Sequence, residues 1–64
     1  MKGYIVVCVE KGMIEKALLC DTLDQAQVVA GEEAKVYDNP DECSVAIFES
    51  DSATLECQIV EALV

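Results

Sequence analysis

The apolar run at residues 4–9, Tyr-Ile-Val-Val-Cys-Val, restricts the fold more than any other segment of the chain. Its residues are β-branched or aromatic almost throughout, which is typical of a β-strand. Alternate side chains of a strand point to opposite faces, so this strand would be apolar on both faces. The two sets are Ile5, Val7 and Val9 on one face and Tyr4, Val6 and Cys8 on the other. Such a strand needs cover on both sides of its sheet.

The segments that follow predict a hairpin and then a helix. Residues 10–12, Glu-Lys-Gly, interrupt the apolar run before a second strand at 13–20, and the two strands would form a β-hairpin. Thr22 and Gln25 fit the S/T-x-x-E/Q capping box, in which polar side chains satisfy the first backbone N–H groups of a helix. We therefore expect a helix to begin at Leu23.

The predicted helix has one narrow apolar stripe. Its apolar residues recur every three or four positions, at Leu23, Ala26, Ala30, Ala34 and Tyr37. The small alanines would permit close packing of the helix on a sheet. Gly31 costs about 1 kcal/mol relative to alanine inside a helix, but we expect the helix to continue through it. Pro40, in the polar segment 38–42, cannot continue a helix and ends it.

The last third of the chain predicts a second hairpin. Apolar residues alternate from Cys43 to Phe48, and residues 49–52 would form a turn. Residues 54–63 fit either a strand or one side of a helix, and we favour a strand because two hairpins close a sheet. The prediction is an α+β fold with the order β-β-α-β-β, in which an antiparallel sheet carries one helix on one face and residues 1–64 form a single domain.

One helix can cover only one face of this sheet. The residues of the other parity would stay exposed in a monomer, and exposed apolar patches usually mark interfaces. We therefore expect a homodimer through the open sheet face or an edge strand, with Tyr4, Val6 and Cys8 as the self-association residues. The alternative is that loops and the C-terminal residues 62–64, Ala-Leu-Val, fold across that face.

Several residue types that carry chemistry are absent from the chain. All four basic residues are lysines, and the sequence contains no Arg, His or Trp. It therefore lacks a guanidinium clamp for phosphate and a side chain that titrates near neutral pH at its ordinary pKa. Its glycines form no phosphate-binding loop. We expect neither an enzyme nor a direct nucleic-acid-binding protein, and no cofactor.

The four cysteines, at positions 8, 20, 43 and 57, are not spaced like metal ligands. No two form a C-x-x-C step, and no histidine is available to complete a mixed zinc site. They stand among apolar residues, where a free cysteine behaves as a small buried hydrophobe. We expect no bound metal. The run at 4–9 is also far shorter than the roughly 20 residues that span a bilayer, so we expect a cytoplasmic protein without membrane contact.

Acidic residues dominate the charge, and they are unevenly distributed. The formal net charge is -9, yet residues 1–20 carry +1 and residues 21–64 carry -10. A basic partner is the natural complement of such a surface. Carboxylates two residues apart on a strand are about 6.6 Å apart, a spacing similar to that of successive phosphates, which permits nucleic-acid mimicry. The predicted partner-binding residues are Glu32, Glu33, Asp38, Asp41, Glu42, Glu49 and Asp51.

Two short hairpins around a helix opened by residues 21–26, Asp-Thr-Leu-Asp-Gln-Ala, resemble many small phage and mobile-element proteins, including some anti-CRISPR proteins. The resemblance covers the whole chain in element order and in acidity. Several of these inhibitors are acidic and occupy the RNA- or DNA-binding surface of an effector complex. The resemblance therefore implies a non-catalytic blocker of a nucleic-acid-dependent machine.

Two function hypotheses follow. The first is an acidic binding protein that inhibits a nucleic-acid-binding protein or complex. The second is a small structural or regulatory interaction module, whose partner docks on the apolar sheet face and whose acids only keep it soluble. Salt separates them, because binding through charges weakens steeply with salt and binding through an apolar face does not.

Overall fold

The computed structural model describes residues 2–63 and has the predicted element order. The elements are β1 (Lys2–Glu10), β2 (Met13–Cys20), α1 (Leu23–Val36), β3 (Cys43–Asp51) and β4 (Glu56–Ala62). The strands form one antiparallel sheet, and α1 lies on one of its faces. The α+β class and the order β-β-α-β-β are confirmed. Among the described residues, no helix combines the length and apolarity that a membrane crossing requires.

The strands lie in the order β2-β1-β3-β4, so the apolar strand β1 is central in the sheet. Each neighbouring pair is antiparallel. The chain leaves the edge strand β2, crosses one face as α1 and returns as β3 on the far side of β1. As a central strand, β1 has hydrogen-bonded neighbours on both edges, and α1 covers one of its two apolar faces.

The first hairpin closes with a tight two-residue turn. Lys11 and Gly12 have φ angles of 53° and 80°, the left-handed values of a type I′ turn. A β-bulge follows, because Cys8 pairs with Lys16 whereas Val9 pairs with Ile14. The bulge adds one residue to β2 and keeps the apolar faces of the two strands aligned.

The helix begins at Leu23, as predicted. The Thr22 hydroxyl accepts a hydrogen bond from the Gln25 backbone N–H at 3.1 Å. The Gln25 side chain accepts from the N–H of Asp21, also at 3.1 Å, so the reciprocal half of the capping box is shifted by one residue. Ala26 and Ala30 are the buried residues of α1 and face the sheet.

The core lies between α1 and the two central strands. Its fully buried side chains in the sheet are Val6, Cys8, Val45 and Ile47. Partly buried residues pack around them, among them Tyr4, Leu18 and Leu63. The contact with α1 is loose, because the two buried alanines bring little side-chain volume to it.

The second turn lies later in the chain than the predicted 49–52. Strand β3 continues to Asp51, and the turn occupies residues 52–55. The Asp51 carboxylate accepts a hydrogen bond from the Ala53 N–H at 2.9 Å, and its carbonyl accepts from Leu55 at 2.8 Å. The following segment is a strand, so the helical alternative for residues 54–63 is wrong.

The predicted self-association residues need correction. Val6 and Cys8 are fully buried beneath α1, and Tyr4 is partly buried against the same core. The helix therefore covers their face, and the opposite set, Ile5 with Val7 and Val9, is the uncovered one. The alternative prediction, in which residues 62–64 fold across the uncovered face, is wrong for Leu63, because Leu63 packs on the helix side. Val64 lies outside the described residues.

The helix offers one direct test of its own stability. A Cβ atom built at Gly31 meets no atom within 4 Å, so alanine fits there without repacking. We expect Gly31→Ala to raise the free energy of unfolding by about 1 kcal/mol, measured by urea titration of the circular dichroism signal. The matched control is Gly12→Ala, at a φ of +80°, which should lower it by a similar amount. A neutral or destabilising effect of Gly31→Ala would contradict the helix as described.

Candidate functional site

The charged side chains of the strand ladders lie on one side of the sheet, and the other side is uncharged. The pairing registers place alternate residues of each strand on the side away from α1, which we call the open face. It comprises Gly3, Ile5, Val7, Val9, Ile14, Ala17, Leu19, Ser44, Ala46, Phe48, Ser50, Cys57, Ile59 and Ala62. None of these residues is charged. The charged residues at ladder positions lie on the helix side instead.

The open face is broad and apolar. Its outer side chains are strongly exposed, with Leu19 at 83%, Ile14 at 70% and Ile59 at 60%. Toward the centre, Val7 and Phe48 are half-buried by their neighbours and line a shallow groove of about 450 Å³. In monomeric soluble proteins, contiguous exposed apolar patches of more than about a few hundred Å² usually mark an interaction site.

On the helix side, carboxylates gather at the second hairpin. Glu49 pairs with Gln58, and Asp51 pairs with Glu56, so that these side chains share one patch. Glu61, opposite Ile47, lies further along the same side of β4. We call Glu49, Asp51, Glu56 and Glu61 the acidic face. α1 packs on the other three strands and leaves β4 uncovered, so the acidic face is open to solvent.

One lysine contacts the acidic face. The ammonium nitrogen of Lys2 lies 3.3 Å from Oε1 of Glu49, whose side chain is 34% exposed. The hydrogen bond to Glu49 raises the pKa of Lys2 above its ordinary value. A single exposed ion pair contributes little to stability, and the patch keeps an excess of negative charge.

Glu33, one of the predicted partner-binding acids, has an internal role. Its Oε2 lies 3.1 Å from Nζ of Lys16 and 3.9 Å from Sγ of Cys8, so the carboxylate faces the edge of the core. The hydrogen bond to Glu33 raises the pKa of Lys16. Nζ of Lys16 also lies 5.8 Å from the centre of the Tyr37 ring. These contacts fasten α1 to β2, so Glu33 is not free for a partner.

The other predicted acids divide into separate groups. Asp38, Asp41 and Glu42 are exposed in the loop that precedes β3, whereas Glu49 and Asp51 lie at the end of that strand. The two groups are about 26 Å apart, because the strand advances about 3.3 Å per residue. Glu32 is exposed on α1, where its carboxylate lies 3.7 Å from the ammonium nitrogen of Lys35. The predicted set is therefore not one surface.

The cysteines are free thiols. Burial raises the pKa of the Cys8 thiol, and the Glu33 carboxylate adds to this effect. Burial likewise raises the pKa of Cys43, with a further contribution from Glu10. Both thiols therefore stay protonated at neutral pH, which fits packing rather than nucleophilic chemistry. Cys57 is exposed on the open face, and within residues 2–63 no three metal-ligating side chains come together.

Sequence reasoning missed Glu56 and Glu61 of the acidic face. It predicted an open apolar sheet face but assigned the wrong β1 residues to it, and it could not name cross-strand neighbours such as Phe48 and Ile59, which are defined by the register between strands. The alternation of Glu56 and Gln58 with Cys57 and Ile59 was a signal for two chemically different faces of β4.

No protein-family model, curated protein or solved structure matches the chain. The open face and the acidic face are the features from which a function can be inferred.

Proposed function

We propose that this chain is a non-catalytic binding protein that blocks a nucleic-acid-binding protein by covering its basic surface with the acidic face. The observation that carries the proposal is the separation of charge. The carboxylates of the second hairpin lie on one side of the sheet, and the pairing of β3 with β4 fixes the backbone positions from which they project. Preorganised charges lose little conformational freedom on binding, which favours a tight and specific contact.

The spacing of the acids supports a partner that recognises phosphates. Glu49 and Asp51 are two residues apart on β3, a separation of about 6.6 Å. Glu56 lies directly across the ladder from Asp51, where side chains of neighbouring strands are about 5 Å apart. The result is a small two-dimensional array of carboxylates rather than a flexible acidic tail. Lysines and arginines arranged for a nucleic-acid backbone could engage such an array.

Binding, rather than catalysis, is the role that the residue types support. The sequence contains no histidine or arginine, and the buried thiols Cys8 and Cys43 have raised pKa values. The excess of carboxylates favours a partner with a basic surface. Among such partners, the resemblance to anti-CRISPR inhibitors makes RNA-guided complexes one candidate. In the alternative function, an interaction module, the open face would bind the partner and the acids would contribute only solubility.

The test is a capture experiment on the immobilised protein with a nuclease-treated cell lysate. We expect the retained proteins to be mainly nucleic-acid-binding proteins. They should be released by about 500 mM salt, because salt weakens the ionic contacts. They should also be released by an excess of double-stranded DNA or RNA, because the nucleic acid competes for the same basic surface. Mass spectrometry identifies them.

The outcome that overturns the proposal is retention that resists both salt and competing nucleic acid. If salt releases the retained proteins and added nucleic acid does not, the acidic face covers a surface other than the partner's nucleic-acid site. That result would also contradict the proposal. A column carrying the variant Glu49→Lys, Glu56→Lys and Glu61→Lys is the control, and it should retain none of the same proteins.

A further inference from the structure

The open face is an exposed apolar surface that the proposed function does not use. It is uncharged, and its central groove is lined by residues of all four strands, among them Val7, Ile14, Phe48 and Ile59. Among the described residues, α1 and Leu63 both pack on the other side of the sheet. A second apolar layer is what this face lacks.

The size of the face fits a second copy of this chain. Strands of seven to nine residues, about 4.8 Å apart, give a face of about 19 by 25 Å, on the order of 500 Å². Two such faces together would bury on the order of 1,000 Å², the area at which specific interfaces begin.

The distribution of charge also favours a second copy. A basic partner would find no carboxylate among the open-face residues, so it would gain nothing from its charge there. In a face-to-face pair the two sheets are about 10 Å apart, and both acidic faces point outward, further apart still. That separation exceeds the Debye length of about 8 Å at physiological salt, so a net charge of -9 per chain opposes pairing only weakly.

We propose that two copies of this chain pair through the open face about a two-fold axis, which gives four layers in the order helix, sheet, sheet, helix. Because the face carries no charge, it can meet its own copy without charge repulsion in an isologous interface. The pair would display one acidic face on each outer side and so offer two sites for a basic partner. This inference does not depend on the proposed function, because a monomer could also use its acidic face.

Sedimentation equilibrium of the full chain, with reductant present, tests the pairing. We expect twice the chain mass of 6.9 kDa at about 100 µM protein, at both low and high salt. Leu19→Lys and Ile59→Lys place a charge in the proposed interface at strongly exposed positions of the single chain. Each should raise the dissociation constant about tenfold or more while the circular dichroism spectrum stays unchanged.

The matched control is Val36→Lys, at a 68% exposed position on α1, which should leave the dimer intact. Cys57 provides a second measurement, since its alkylation rate should fall as dimer forms. A 6.9 kDa species for the unmodified chain at about 100 µM would overturn the proposal. A dimer that survives both lysine substitutions would overturn it as well.

Discussion

Replacement of Ile47 by alanine is expected to destabilise this protein more than any other single truncation. Ile47 is fully buried and is the largest of the side chains with no exposure. Its loss leaves a cavity at the contact of β3 with α1, which should lower the free energy of unfolding by about 3 kcal/mol. In a domain of this size that is a large part of the total stability. Thermal unfolding should show a midpoint lower by about 15 °C.

Two valines separate the effect of burial from that of residue type. Val45 is fully buried beside Ile47, whereas Val28 is 67% exposed on α1. Val45→Ala should cost about 2 kcal/mol, and Val28→Ala should be neutral or slightly stabilising because alanine favours a helix. Equal effects of the two substitutions would contradict the position of the core between α1 and the central strands.

Reversal of the acidic face is expected to have the largest effect on binding. The variant changes Glu49, Glu56 and Glu61 to lysine and leaves Asp51 in place, because its carboxylate holds the second turn. We expect the affinity for a captured partner to fall about 100-fold or more, since three favourable contacts become repulsive. The free energy of unfolding should change by less than about 1 kcal/mol, because the exposed ion pair with Lys2 contributes little.

A control of equal charge makes this result specific. Reversal of Asp38, Asp41 and Glu42 changes the net charge by the same amount in the loop at the opposite end of β3. It should leave most of the affinity intact. If both variants lose binding equally, net charge rather than the acidic face holds the partner. Tolerance of both reversals would instead favour the interaction-module hypothesis.

Local sequence signals were sufficient for the elements themselves. Thr22 and Gln25 located the start of the helix, and the alternation from Cys43 to Phe48 predicted the strand β3. These features depend on residues a few positions apart, which a sequence displays directly. The second turn was misplaced because Glu49 and Asp51 resemble turn residues in composition, although they are paired in the ladder.

Long-range packing determined what the sequence left open. Both parities of β1 are apolar, so only the position of α1 decides that Val6 is buried and Val7 lies on the open face. A register shift between Ile47 and Phe48 determines that Glu61 joins the acidic face. The predicted acids could not be sorted into a surface for the same reason, since Glu33 gains its lysine partner only when α1 packs on β2.

The salt dependence of partner binding tests the proposed function most directly. We expect the logarithm of the dissociation constant for a captured partner to rise steeply and linearly with the logarithm of salt concentration, between about 50 and 500 mM. The slope should decrease in the Glu49, Glu56 and Glu61 variant and stay unchanged in the Asp38, Asp41 and Glu42 variant. A slope near zero for the unmodified protein would contradict recognition through the acidic face.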